Sequence, residues 1–114
     1  MQTKHLFGGE ALKWMDEVAY ITATKFTRKK MYTVYIDNIK FLKPIFKDNI
    51  VYITGKVVKA DYIRIYVEVI MSIENFNADN EIAIRGDFTF VALDENGFPL
   101  VLNNSYEEKK QDVD

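Results

Sequence analysis

The chain has little of what most catalytic machinery needs. It contains no cysteine, only one histidine, His5, and only two serines, Ser72 and Ser105. The missing cysteine excludes disulfides, thiolate nucleophiles and cysteine-ligated metals. A single histidine argues against a multi-histidine metal site, and neither serine lies in a G-x-S-x-G turn. We therefore predict no metal, a surface role for His5, and chemistry carried by carboxylates and backbone amides.

Long apolar runs and excess basic charge are missing as well. The net charge is −2 and the pI is about 5.4, whereas nucleic-acid-binding domains carry a basic stripe. The first residues contain no apolar run of signal-peptide length, and no stretch approaches the ~20 apolar residues of a membrane helix. These features predict a cytoplasmic protein that contacts neither nucleic acid nor membrane.

The sequence contains enough apolar material for one real core. Hydrophobic residues make up 48% of the 114 residues and aromatic residues 14%, and this length corresponds to one domain. The last residues are polar and charged, which is typical of disorder. We predict a single domain over residues 1–102 and a disordered tail over residues 103–114.

One long amphipathic helix follows two adjacent glycines, Gly8 and Gly9. From Glu10 to Phe26 the apolar positions recur at helical spacing. Asp16 falls at the border of this apolar stripe. Because Trp14 and Tyr20 widen the apolar coverage, the pattern predicts a helix embedded in the protein.

The remainder of the chain has the composition of strands and turns. The predicted strands are 31–37, 50–58, 62–73 and 81–93, with an irregular or edge segment at 41–46 around Pro44. Residues 62–73 alternate strictly between apolar and polar, and Lys59-Ala60-Asp61 has the character of a hairpin connection. Short connections imply antiparallel pairing, so the fold class is α+β.

Three segments resemble the hotdog-fold acyl-CoA thioesterases of the acyl-CoA hydrolase branch. They are FGGEALKWMDE at 7–17, FLKPI at 41–45 and FTFVALD at 88–94. The resemblance implies an antiparallel β-sheet wrapped around one long central helix. It also implies homodimers joined sheet edge to sheet edge, often as trimers of dimers, with active sites at the dimer interface.

The same resemblance assigns roles to individual residues. Asp16 would be the catalytic carboxylate, activating water or attacking the thioester, while backbone amides near Gly9 and Glu10 polarise the carbonyl. A helix N-terminus suits that second task, because its unpaired N–H groups point at developing negative charge. The predicted reaction cleaves acyl-CoA to free fatty acid and coenzyme A, with no cofactor beyond the coenzyme in the substrate. The predicted substrate-binding residues are Gly8, Trp14, Met15, Lys59, Tyr62 and Arg64.

Two departures from the family pattern keep an alternative open. Met1 stands where the family usually has an asparagine, and Lys59-Ala60-Asp61-Tyr62 replaces a hairpin that contains glycine and serine. The alternative is a non-catalytic hotdog module that binds acyl-CoA or a protein partner. A dehydratase, which would depend on His5, is a weaker third interpretation.

Overall fold

A computed structural model describes residues 8–46 and 48–102. The predictions for Met1, His5 and the tail at 103–114 lie outside these residues. Within them the chain forms one helix and four strands, in the order α1 (Gly8–Thr27), β1 (Met31–Phe41), β2 (Val51–Ala60), β3 (Arg64–Ile73) and β4 (Glu81–Ala92). All pairings are antiparallel, and the sheet order is β1-β4-β3-β2. The α+β class and the arrangement of one long helix against an antiparallel sheet are confirmed.

The helical stripe and the alternating strands meet in one core. Ala11, Met15, Ala19 and Ala23 recur every four residues on α1 and are buried. Small alanine side chains let the helix approach the sheet closely. The sheet presents its own buried face from its two central strands, with side chains Ile65, Val67, Val69, Met71, Ile84, Phe88 and Phe90.

The closest approach of helix and sheet is at Gly55 on β2. A Cβ added at this position would overlap the hydroxyl oxygen of Thr22 and lie 3.4 Å from Cγ1 of Val18. The Thr22 hydroxyl is itself fixed, since it donates to the carbonyl of Val18 at 2.8 Å. Glycine is therefore required here by space.

Strand boundaries differ from the prediction at two places. β1 is one continuous strand to Phe41 rather than two segments, because an irregularity between Asp37 and Lys40 lets the ladder continue. Asn38 lies there with a φ of 54°, a conformation that asparagine tolerates better than most residues. Lys59 and Ala60 also belong to β2, so the turn of the next hairpin lies at 61–63.

The helix is less enclosed than predicted. Trp14, Tyr20 and Ile21 are exposed, so the sheet covers one face of α1 and leaves an apolar face open. In β4, Ile82 is only half-buried, whereas its neighbours Ala83 and Ile84 are both buried. The cause is a register irregularity in the pairing with β3, opposite Met71 and Ser72, which turns Ala83 inward. Among the described residues, no helix is both long and apolar enough to cross a membrane.

Candidate active site

Asp16 is held at the edge of the helix–sheet junction by a threonine. Its side chain is half-buried and lies two turns into α1. The hydroxyl of Thr33, on β1, donates to Oδ1 of Asp16 at 3.0 Å. Thr33 can face the helix because it shares a strand with the buried Met31 two positions earlier, and alternate residues of a strand point to the same side. One carboxylate oxygen is thus fixed by the fold, and Oδ2 remains able to contact another group.

An open cleft lies beside this carboxylate. Its volume is about 370 Å³, and it is lined by Asp16, Glu17, Tyr20, Ile21 and Thr33. Most of the lining surface is apolar, and the lining residues include the apolar Tyr20 and Ile21 together with the hydrogen-bonded pair Asp16 and Thr33. A carboxylate next to an apolar cleft is suited to a substrate with a polar reacting group and an apolar substituent.

The predicted amide donors lie in the first turn of α1. The helix begins at Gly8, so the N–H groups of Gly9 and Glu10 are among the four that have no partner within the helix. No atom of residues 8–46 or 48–102 lies within 4 Å of a Cβ built on Gly9, so these residues leave room for a ligand close to the backbone there. Asp16 follows Gly9 by seven residues, which is about 10 Å along the axis and almost two full turns. Asp16 and Gly9 therefore lie on the same side of the helix, with Glu10 about 100° farther around it.

The predicted substrate-binding residues are divided among four places, three of them on α1. Gly8 begins the helix, Trp14 is partly exposed on its open face, and Met15 is fully buried in the core. Met15 is predicted to line an acyl channel between protomers, whereas within one chain its side chain is buried in the core. It points about 100° away from its neighbour Asp16 on the helix.

Lys59, Tyr62 and Arg64 surround the β2–β3 hairpin. This hairpin lies at the end of the sheet where α1 finishes, because Arg64 pairs with Val91 and the neighbouring Ala92 pairs with Met31. The first turn lies at the opposite end of this 20-residue helix, which is about 30 Å long. One chain therefore does not bring the helix amides and the hairpin residues together.

Asp61 organises that hairpin. Its Oδ1 accepts the N–H groups of Ile63 at 3.1 Å and Arg64 at 2.8 Å, and its Oδ2 accepts the Tyr66 hydroxyl at 3.3 Å. Burial acts to raise the pKa of the Asp61 carboxyl, but these hydrogen bonds and the Arg64 charge together lower it below its ordinary value. The turn is thus closed by a carboxylate, which explains how the chain reverses there without glycine.

Thr33 is the site residue that the sequence did not reveal. It lies 17 positions from Asp16, and only the pairing of α1 with β1 brings the two together. A threonine in a β-rich segment is ordinary, so the sequence held no local signal for it. Metal ligation has no support among residues 8–46 and 48–102, where no group of three or more candidate ligands occurs.

β1 forms one edge of the sheet and pairs only with β4 among the described strands. Apart from Met31 and the half-buried Ile39 it is exposed along its length. Its exposed large apolar side chains are Tyr32, Val34, Tyr35, Ile36 and Phe41. A long exposed edge strand with apolar side chains is a template for pairing with another chain.

Comparison with known proteins gives a consistent result. The thioesterase superfamily profile matches residues 3–75. An uncharacterized acyl-CoA thioester hydrolase of Bacillus subtilis is 31% identical over 110 residues, which are 95% of this chain and 63% of that protein. The chain spans less than two thirds of that relative's length, and less than a third of the mammalian acyl-CoA thioesterases that it also matches.

Solved structures share both sequence and fold with this chain. An acyl-CoA hydrolase of Staphylococcus aureus, in complex with butyryl coenzyme A, coenzyme A and coenzyme A disulfide, is 31% identical. The TM-score of the superposition is 0.81, and the match covers 96% of this chain and 74% of the Staphylococcus aureus chain. The hexameric thioesterase of Yersinia pestis is 26% identical, with a TM-score of 0.78, over 85% of this chain and 80% of its own.

Two further structures of the Staphylococcus aureus hydrolase carry one aspartate or one threonine replaced by alanine. The two replaced positions are 17 residues apart, the same separation as Asp16 and Thr33. The family profile covers more than half of the chain, and the fold agrees with it. The chain has the hotdog fold and belongs to the thioesterase superfamily.

Proposed function

We propose that the protein hydrolyses acyl-CoA thioesters, with Asp16 as the catalytic carboxylate. The observation that carries the proposal is the hydrogen bond from Thr33 to Oδ1 of Asp16, beside an apolar cleft. An aspartate and a threonine with the same separation were the positions replaced in the Staphylococcus aureus hydrolase. That coincidence supports a paired role for Asp16 and Thr33 in this chain.

The chemistry follows from the arrangement of groups. Oδ2 of Asp16 takes a proton from water as the water oxygen attacks the thioester carbonyl carbon, and the N–H groups of Gly9 and Glu10 stabilise the oxyanion. The C–S bond then breaks, and the thiolate receives the proton from Asp16. In the nucleophilic variant Asp16 attacks the carbonyl carbon, the C–S bond breaks and the thiolate leaves. Water then hydrolyses the mixed anhydride, which frees the Asp16 carboxylate and supplies a proton to the thiolate. Both routes consume only water and thioester, so we propose no cofactor besides coenzyme A in the substrate.

We further propose that two copies pair through their β1 edges to complete the site. An antiparallel two-fold pair places the hairpin end of one sheet beside the helix N-terminal end of the other. Lys59, Tyr62 and Arg64 of one copy would then approach the Gly8–Glu10 turn of the other, which one chain keeps apart. The exposed apolar side chains of β1 support such pairing, and the relative from Yersinia pestis is hexameric. We also propose that three such dimers assemble into a trimer of dimers and that the protein is located in the cytoplasm.

Thiol release from acyl-CoA tests the function. The purified protein is incubated with an acyl-CoA, and free thiol is measured against time. We expect turnover of the thioester and its loss in Asp16→Ala. A binding module, the rival function, would give saturable binding of acyl-CoA in a calorimetric titration without thiol release. That combination of results would overturn the proposed activity.

A further inference from the structure

The cleft beside Asp16 has a polar side and an apolar side. Toward the N-terminal end of α1 lie the amides of Gly9 and Glu10, which suit a carbonyl oxygen. Toward the C-terminal end, Tyr20 and Ile21 follow within about one turn and line the cleft with apolar surface. Ile21 has 54% of its surface exposed and is therefore available to a ligand. Within the cleft as the described residues line it, an acyl chain attached to a carbonyl at Asp16 gains its apolar contact in this second direction.

The apolar surface is short. Its lining residues on α1 extend from Asp16 to Ile21, about 7.5 Å along the helix axis. One turn farther the exposed side chain is Lys25, and then Arg28. A chain that passes Ile21 therefore meets charged groups.

Resting on the proposed hydrolase function, we infer that the protein selects short acyl groups and that Tyr20 and Ile21 set the limit. An extended chain advances by roughly 1.2 Å per bond, as the polypeptide backbone does, so about six carbons span the lined distance. The cleft volume of about 370 Å³ is at the lower end of the ~300–1,000 Å³ found for ligand pockets. Carbons beyond that length lie beside Lys25 and bury no further apolar surface.

A series of straight-chain acyl-CoAs from acetyl to palmitoyl tests the limit. For the unaltered protein, kcat/KM should rise by up to about fourfold per added methylene as far as six carbons and then stop rising. Ile21→Ala shortens the apolar surface and should move the maximum to shorter chains, and Ile21→Trp extends it and should move the maximum to longer ones. Ile50→Ala is the matched control, because Ile50 is 49% exposed and lies outside the cleft. In Ile50→Ala, kcat/KM should depend on acyl-chain length as it does in the unaltered protein.

The outcomes separate this inference from the proposed function. A kcat/KM that keeps rising to palmitoyl-CoA, or Ile21 variants with an unchanged maximum, would overturn the chain-length limit while leaving the hydrolase intact. Titration of Asp16→Asn with the same acyl-CoAs measures affinity without turnover. If the unaltered protein releases no thiol but this affinity still levels off at six carbons, the hydrolase fails and the limit stands. If affinity did not depend on chain length and no thiol were released, both the hydrolase function and the chain-length limit would be wrong.

Discussion

The hydroxyl of Thr33 on β1 donates a hydrogen bond to Oδ1 of Asp16 on α1, with 3.0 Å between the two oxygens. The two residues are 17 positions apart in the sequence. The bond leaves the second carboxylate oxygen to face the cleft. Thr33→Val keeps the shape and removes the donor, so the carboxylate can rotate. Since a hydrogen bond to a charged group contributes about 1.5–3 kcal/mol, kcat should fall roughly 10- to 100-fold, with a smaller change in KM.

Thr33→Ser is the control for that prediction. Serine retains the hydroxyl and should recover most of kcat, whereas a purely structural role would be served better by the isosteric valine. Thermal unfolding of both variants establishes that the fold is kept. Equal kcat in Thr33→Val and the unaltered protein would show that Thr33 does not position Asp16.

The exposed β1 edge should carry the association of two copies. Val34, on this strand, is 44% exposed, and Val34→Lys places a charge where the second copy would pack. We expect dissociation to monomers in sedimentation-velocity experiments, accompanied by loss of thioesterase activity. Val58→Lys, at a valine that is 50% exposed on β2, should remain associated. If Val34→Lys retained the size of the unaltered assembly, pairing through β1 would be wrong.

Gly55 should be sensitive to the smallest substitution. Gly55→Ala forces its methyl group against the hydroxyl of Thr22, and overpacking of this kind lowers the free energy of unfolding by about 1–3 kcal/mol. Adding Thr22→Ala should recover part of the loss, since the overlapping oxygen is removed. Gly9→Ala is the contrast: its Cβ meets nothing within 4 Å, and in a helix alanine is better than glycine by up to about 1 kcal/mol. Urea unfolding measures all four proteins, and equal stability of Gly55→Ala and the unaltered protein would contradict the packing.

The stabilising effect of the Asp61 carboxylate should depend on pH. Its pKa in the folded chain is below the ordinary value of 3.8, so the folded state favours the charged form. The contribution is therefore complete above the unfolded pKa and disappears as the pH falls through the folded pKa. Asp61→Asn should destabilise the protein at pH 7 and have less effect in acid. A destabilisation that does not change between pH 7 and pH 2.5 would rule out this role of the charge.

The sequence predicted elements wherever burial follows a simple period. Ala11, Met15, Ala19 and Ala23 repeat every four residues, and Ile65 to Met71 alternate, so the helix and β3 could be predicted from periodicity. The strand ends were less predictable, because irregularities in the ladder have no period. Asn38 adopts a positive φ inside β1, although asparagine after aspartate reads as the end of a strand.

The site was predicted only in part, for a physical reason. Asp16 was identified through the motif around it, and its position at the cleft agrees with that assignment. The cleft itself is lined by Tyr20 and Ile21 rather than by Met15, because neighbours in a helix point in different directions. Thr33 depends on tertiary packing between α1 and β1, which no local pattern encodes. Its role, like that of the hairpin residues, stays a prediction until it is measured.

The central claim, that Asp16 is the catalytic carboxylate of a thioesterase, is tested most directly by Asp16→Asn. Asparagine keeps the size of the side chain and can still accept the Thr33 hydrogen bond, but it is a far weaker base and nucleophile. With hexanoyl-CoA as substrate, kcat should fall by at least about 100-fold, the lower range for general-base catalysis, while acyl-CoA affinity and the unfolding temperature stay close to those of the unaltered protein. Thiol release by Asp16→Asn at the unaltered rate would contradict the account.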